Sequence, residues 1–252
     1  MAKYVEKYFC DELKKNPNFK SGAIEAALKE NFMKMDIMLS SPEGKKELFS
    51  IKNDNKEETL GFQGESFAGC TANVSLIYKN TLYVANAGDS RSILATKGGE
   101  IVRMSIDHKP DQDLEKQRII KAGGFVTDGR VNANLNLSRA IGDLEYKRNA
   151  ALPPDQQLII AFPDVQSRPV TKDDDFILMG CDGVWETLSE KEIVDFIYAK
   201  LKEKTPLKTI AEELLDKLIA PDTLSKNFLV LSFYFLNFVK ILFLNLLETL
   251  GN

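Results

Sequence analysis

Histidine is almost missing from this chain: His108 is the only one in 252 residues. A Ser-His-Asp triad or a multi-histidine zinc site would have to rest on that single side chain, which argues against both. Cysteine is scarce too. Cys10, Cys70 and Cys181 are odd in number, far apart and in no Cys-x-x-Cys arrangement, so neither a disulfide framework nor a zinc ribbon is expected. With no secretory signal at the N-terminus, reduced thiols and a cytoplasmic or nuclear location are expected. Strong charge of one sign is also lacking. A net charge of −4 and the absence of any basic run give no reason to expect a nucleic-acid partner. What remains for chemistry is carboxylate.

The stretch Phe176-Ile-Leu-Met-Gly-Cys-Asp-Gly-Val-Trp-Glu-Thr-Leu188 carries that chemistry best. Phe176 to Met179 reads as a buried strand, since it has no polar alternation and Gly180 stops it. Asp182-Gly183 then puts a carboxylate at the strand's end, placed by rigid structure and facing solvent, which suits Mg²⁺ or Mn²⁺. A plain Asp-Gly turn is the alternative. Asp89, in Ala87-Gly-Asp-Ser90, ends a strand in the same way, with an Asx-turn as its alternative. Asp143 is a third glycine-flanked aspartate.

Around these sites the chain reads as one domain-sized unit. Residues 2–15 put Val5, Tyr8, Phe9 and Leu13 on one helical stripe, and Asn16-Pro17-Asn18 breaks it. Ser21 is expected to cap a second helix carrying Ile24, Leu28, Phe32 and Met35. Residues 41–66 read as a polar linking loop. Strands over 70–78, 81–86 and 91–96, with tight turns at Lys79-Asn80 and at 87–90, predict an antiparallel meander. A short helix over 114–122 closes at Gly123-Gly124, and 125–131 reads as a hairpin. His108, between Asp107 and Lys109-Pro110, is a loop residue. Residues 144–163 are irregular and read as a flap. Ser189-Glu-Lys-Glu192 is a capping box, and Thr205-Pro206 opens a last helix with Ile210, Leu214 and Leu218 inward.

In order, the chain contains Ala68-Gly-Cys-Thr-Ala72, Asn86-Ala-Gly-Asp-Ser-Arg91, Asp107-His-Lys-Pro110, Ala122-Gly-Gly124, Arg130-Val-Asn132, Leu137-Ser-Arg-Ala-Ile-Gly-Asp143 and Cys181-Asp-Gly-Val-Trp-Glu186. Each is a weak signal alone. Together, over residues 1–223, they resemble the metal-dependent protein serine/threonine phosphatases of the type 2C (PPM) family. The resemblance implies an α+β fold, a β-sandwich of two antiparallel sheets flanked by helices (αββα), incomplete in this chain. It implies phosphorylated proteins as partners, and Mg²⁺ or Mn²⁺, two or three ions in the intact family site, activating water. Asp182 matches the ligand of the Asp-Gly-x-Trp motif, and Asp89 the ligand of a weaker third ion. Glu186 stands where many members have Asp, and Asp143 resembles a supporting acid.

The resemblance is partial. These 252 residues contain no Asp-Gly-His-Gly segment, which in the family carries the bridging aspartate and the general-acid histidine. Nor is there an Asp-Asn pair at the other end, where Asp222 is the last acid before an atypical hydrophobic tail, residues 224–252. One clear binuclear ligand, Asp182, cannot hold two hard cations tightly. This polypeptide alone is therefore expected to be catalytically weak, and a non-catalytic scaffold that binds proteins is the rival reading. Residues 224–247 reach the roughly 20 apolar residues that span a bilayer, but Asn237, Lys240 and Asn245 interrupt them. A tail of this composition reads better as translated intron, leaving a sheet edge uncovered, than as a membrane anchor.

Overall fold

The computed structural model describes residues 1–53, 68–218, 231–235 and 243–249. Four helices come first: α1 (Ala2–Lys15), α2 (Pro17–Ser21), α3 (Ile24–Ser40) and α4 (Pro42–Asn53). Strands β1 (Gly69–Tyr78), β2 (Thr81–Ala87), β3 (Arg91–Thr96) and β4 (Ile101–Arg103) follow, then α5 (Asp113–Lys121). Short strands β5 (Val126–Thr127), β6 (Arg130–Val131) and β7 (Ile141–Gly142) lead to β8 (Asp164–Pro169) and β9 (Asp174–Gly180). The chain then forms α6 (Asp182–Thr187), α7 (Glu190–Lys202), α8 (Leu207–Leu218), β10 (Leu231–Phe235) and β11 (Phe243–Thr249).

Two antiparallel sheets face each other. One runs β11-β1-β2-β8, with β7 also paired to β1, and the other runs β10-β9-β3-β4. Leu82 and Val84 of the first meet Leu94, Ile177 and Met179 of the second in the space between. On the outer face of the first sheet, Phe9, Phe32 and Met35 of α1 and α3 cover Cys70, Val74 and Ala85. On the outer face of the second, Ile193, Ile197 and Leu214 of α7 and α8 cover Ile93, Phe176 and Leu178. The sheets are buried on both faces, which is why their strands read as apolar runs with little alternation. The αββα layering is as expected, and all four layers are present among the described residues.

Several local expectations change. The strands are not a meander: β2 pairs β1, but β3 pairs β9 and β4 in the other sheet. The chain crosses between sheets at Gly88, where φ is +119° and a Cβ would lie 2.5 Å from the Thr71 Cγ2. Only glycine fits that corner. Part of the supposed loop at 41–66 is helix α4. Ser41 caps it by accepting from the Gly44 N–H at 3.0 Å, and Pro42 supplies a helix-ready φ. Ser21 does not cap α3; it closes α2, with its hydroxyl donating to the Asn18 carbonyl at 3.0 Å. Strand β8 adds an element the sequence pattern does not mark, because its residues are largely polar and its burial partial. The edge expected to be uncovered is paired. β11 pairs β1 from Gly69↔Thr249 to Ser75↔Phe243, and β10 pairs β9. Asp222 and the remaining residues of the 224–252 tail lie outside the described residues. Among the described residues no helix is long and apolar enough to cross a membrane.

The expected flap is a packed segment. Gln157 is buried, and its Nε2 donates to the carbonyls of Asn149 at 2.8 Å and Leu152 at 2.9 Å. Ile159, Ile160 and Ala161 are buried behind it.

Candidate metal centre

Strand register brings the two main aspartates together. Arg91 of β3 pairs with Gly180 of β9, so Asp89 and Asp182, each two residues beyond that pair, leave the same end of adjacent strands. Asp182 opens α6, and its Oδ1 accepts from the Gly183 N–H at 2.8 Å. Glu186 stands four residues further along α6, on the same helical face, and is exposed. Asp89 is only 3% exposed. Burial pushes its carboxyl up, Asp182 adds to that, and the Lys109 ammonium, bonded to its Oδ2, pulls it back.

Lys109 is the contact that sequence reasoning missed. Burial opposes its charge, but Asp89, with Asp182 and Asp107 behind it, outweighs burial and shifts the ammonium upward. An upward shift on the lysine favours the ion pair, while one on the aspartate opposes it. Three acidic neighbours around one ammonium decide for the ion pair. The Asp-His-Lys-Pro spelling contained this signal, since a lysine beside a capping-type break is a ready counter-ion. Its partner lies 20 positions away, which no local pattern reveals.

The loop that carries Lys109 is tied down on both sides. His108 is 2% exposed; its Nδ1 accepts from the Gly88 N–H at 3.2 Å, so Nε2 bears the proton and donates to Asp164 Oδ2 at 3.1 Å. His108, and behind it Arg139, hold the Asp164 carboxyl well below the usual carboxylate range. With both ring nitrogens engaged, His108 is structural. Asp107 is forked by Arg91, whose Nε and Nη2 donate to its two oxygens at 2.9 and 2.7 Å. Arg91 Nη1 donates to Glu190 Oε1 at 2.8 Å, and the guanidinium lies 5.5 Å from the Trp185 ring centre. Trp185 in turn donates from Nε1 to the Gly180 carbonyl at 2.9 Å. Arg91 thus joins the Lys109 loop to α6, which carries Asp182 and Glu186, and to α7. Arg91→Lys, which cannot fork a carboxylate, is expected to cost about 2 kcal/mol in a thermal melt. An unchanged melting temperature would show the fork to be dispensable.

Asp143 does not join Asp89 and Asp182. It sits at φ 46°, packed on Gly69, and its Oδ2 is buried with no hydrogen-bond partner. Burial raises its carboxyl to about 7. A separate cleft of about 400 Å³ lies between α5 and the 155–164 segment, floored by Arg118 and Arg139. Their guanidiniums are already bonded to Glu115 and to backbone carbonyls.

Among the described residues no three His, Cys, Asp or Glu side chains come together in a metal-sized group. The donors fit a hard cation at one position. Two carboxylates converge there, one of them buried, and a cation, the Lys109 ammonium, already stands in.

Comparison with known proteins bears on the family and the fold. The sequence pattern of the family described as Protein phosphatase 2C matches residues 1–226. "Probable protein phosphatase 2C 3" of Paramecium tetraurelia is 56% identical over 227 residues, covering 88% of this chain and 73% of that protein. "Probable protein phosphatase 2C 21" of Arabidopsis thaliana is 38% identical, covering 88% and 70%. A solved phosphatase from Toxoplasma gondii superposes with a TM-score of 0.66 at 23% identity, covering 98% of this chain and 84% of that one. At that identity the superposition bears on the fold alone.

Proposed function

The chain belongs to the protein phosphatase 2C family of serine/threonine phosphatases, and from that premise we propose that it acts on phosphoserine and phosphothreonine in proteins with Mg²⁺ or Mn²⁺ held at Asp89 and Asp182. The observation that carries the reading is the β3–β9 register, which sends both carboxylates out of the same sheet end. Bound there, a hard divalent ion supplies a more acidic water and positive charge for the phosphoryl oxygens. The chain's own residues do the rest of the positioning. Asp89 and Asp182 provide the oxygen donors, and Glu186, one helical turn on, extends the acidic rim. The Arg91–Asp107 fork and the His108–Gly88 bond keep the strand-end backbone in place.

Proton delivery is the weak point. The only histidine is buried with both nitrogens engaged, so among the described residues no imidazole is placed to protonate a leaving group. General acid catalysis contributes about 10²–10⁴-fold, so this chain is expected to turn over at least about 100-fold more slowly than a phosphatase that has such a group. The test is Mn²⁺-dependent phosphate release from a phosphothreonine peptide, run beside the Paramecium tetraurelia relative. A residual rate abolished by Asp182→Asn supports the reading. Rates equal to the relative's would refute the expected deficit, and a rate indifferent to Asp182→Asn would refute the metal assignment.

A further inference from the structure

We propose that the Lys109 ammonium is the resident cation of the Asp89–Asp182 hollow, so that a divalent ion binds there only by displacing it. The inference rests on the metal reading above and adds a built-in competitor to it. Asp89 is nearly inaccessible, and its Oδ2 is already bonded to Lys109. A carboxylate buried this deeply needs a positive partner, and the chain supplies one from a loop 20 residues further on.

The anchoring of that loop makes exchange feasible without refolding. His108 and Pro110, on either side, are buried, and His108 is bonded through both ring nitrogens. The Lys109 side chain itself is 34% exposed. Its flexible four-carbon stem can carry the ammonium out to solvent while the backbone stays fixed. Asp107 does not compete for the ammonium, because the Arg91 fork engages both of its oxygens. A divalent ion entering the hollow therefore meets one carboxylate, Asp182, with no ion pair among the described residues, and one already paired. Its apparent affinity is lowered by the free energy of breaking the Lys109–Asp89 pair.

The test is calorimetric titration of Mn²⁺ into the full chain, its Lys109→Gln and Lys109→Arg variants, and the Asp89→Asn/Lys109→Gln double variant. Lys109→Gln is expected to bind Mn²⁺ at least about tenfold tighter, a step of 1.4 kcal/mol. Lys109→Arg, which keeps the charge, is expected to bind as the parent does, and the double variant to lose the gain. Equal affinity in the parent and Lys109→Gln, or a gain that survives Asp89→Asn, would overturn the inference and leave the metal reading standing. No binding to either protein at millimolar Mn²⁺ would overturn both.

Should Lys109→Gln fail to fold, the unaltered chain gives a second readout. Mg²⁺ is expected to speed acylation of Lys109 Nζ by an amine-reactive ester, followed by mass spectrometry, because the displaced ammonium moves into solvent. Mg²⁺ binding with no change at Lys109 would overturn the inference.

Discussion

Replacing Glu115 with alanine is expected to cost the fold about 3–5 kcal/mol, a large part of the roughly 5–15 kcal/mol that holds a domain together. Glu115 lies between two arginines that are themselves nearly buried. Its Oε1 accepts from Arg139 Nε and Nη2 at 3.0 and 2.6 Å, and its Oε2 from Arg118 Nη1 at 2.6 Å. The arginines continue outward: Arg118 to the Gln157 and Ser138 carbonyls, Arg139 to the Phe162 carbonyl and Asp164. Removing the carboxylate leaves Arg118 buried without its paired carboxylate and Arg139 with Asp164 alone, and loosens the 157–164 segment. The pH dependence has a definite sign. Burial would raise the Glu115 carboxyl, and Arg139 and Arg118 outweigh it, holding it at about 2 against 4.5 unfolded. Its stabilisation is therefore present above about pH 4.5 and lost as pH falls towards 2, up to roughly 3 kcal/mol. Urea midpoints measured from pH 2 to 7 decide this. A Glu115→Ala curve parallel to the parent's would show that the acid limb belongs to other groups.

Asp143→Asn is expected to act in the opposite direction, protecting the protein as pH rises. Burial lifts the Asp143 carboxyl to about 7 from 3.8, with Glu145 and Asp36 adding to the shift and Lys147 opposing it. Lys147 is already engaged, donating to Asp36 Oδ2 at 2.6 Å and to the Ala140 carbonyl at 2.7 Å. The native state prefers the neutral acid, so this group's stabilisation is complete below about pH 3.8 and is lost as pH climbs through 7. The swing is up to roughly 4 kcal/mol. Asparagine suits the site because it tolerates the left-handed backbone at φ 46° and stays neutral throughout. Chemical denaturation at pH 5 and pH 8 should show the parent losing stability and Asp143→Asn holding it. A variant that loses as much as the parent would place the titrating group elsewhere.

Much of the fold was legible because its signals are local. The apolar stripes of α1, α3, α7 and α8, the Ser189 capping box and the Lys79-Asn80 hairpin turn each depend on residues within one or two helical or strand repeats. Helix α4 was missed although Ser41-Pro42 spelled its start, because a polar surface helix has too little apolar periodicity to compete with turn residues. Strand β8 carries a similarly weak pattern, being largely polar and only partly buried. The meander failed because tight turns do not say which sheet the next strand joins. That was decided at Gly88, by the absence of room for a side chain against Thr71.

The layers and the candidate aspartates are readable along the chain, because strand and helix periods and glycine-flanked acids are patterns of consecutive residues. The surroundings of each acid are set by the fold. Asp89 and Asp182, 93 positions apart, meet because Arg91 and Gly180 pair across two sheet strands, while Asp143, of the same local spelling, is buried against Gly69 instead. Lys109 finds Asp89 through the same folding of distant segments. Electrostatic partnership depends on distance and burial in space, and neither quantity is a function of spacing along the chain.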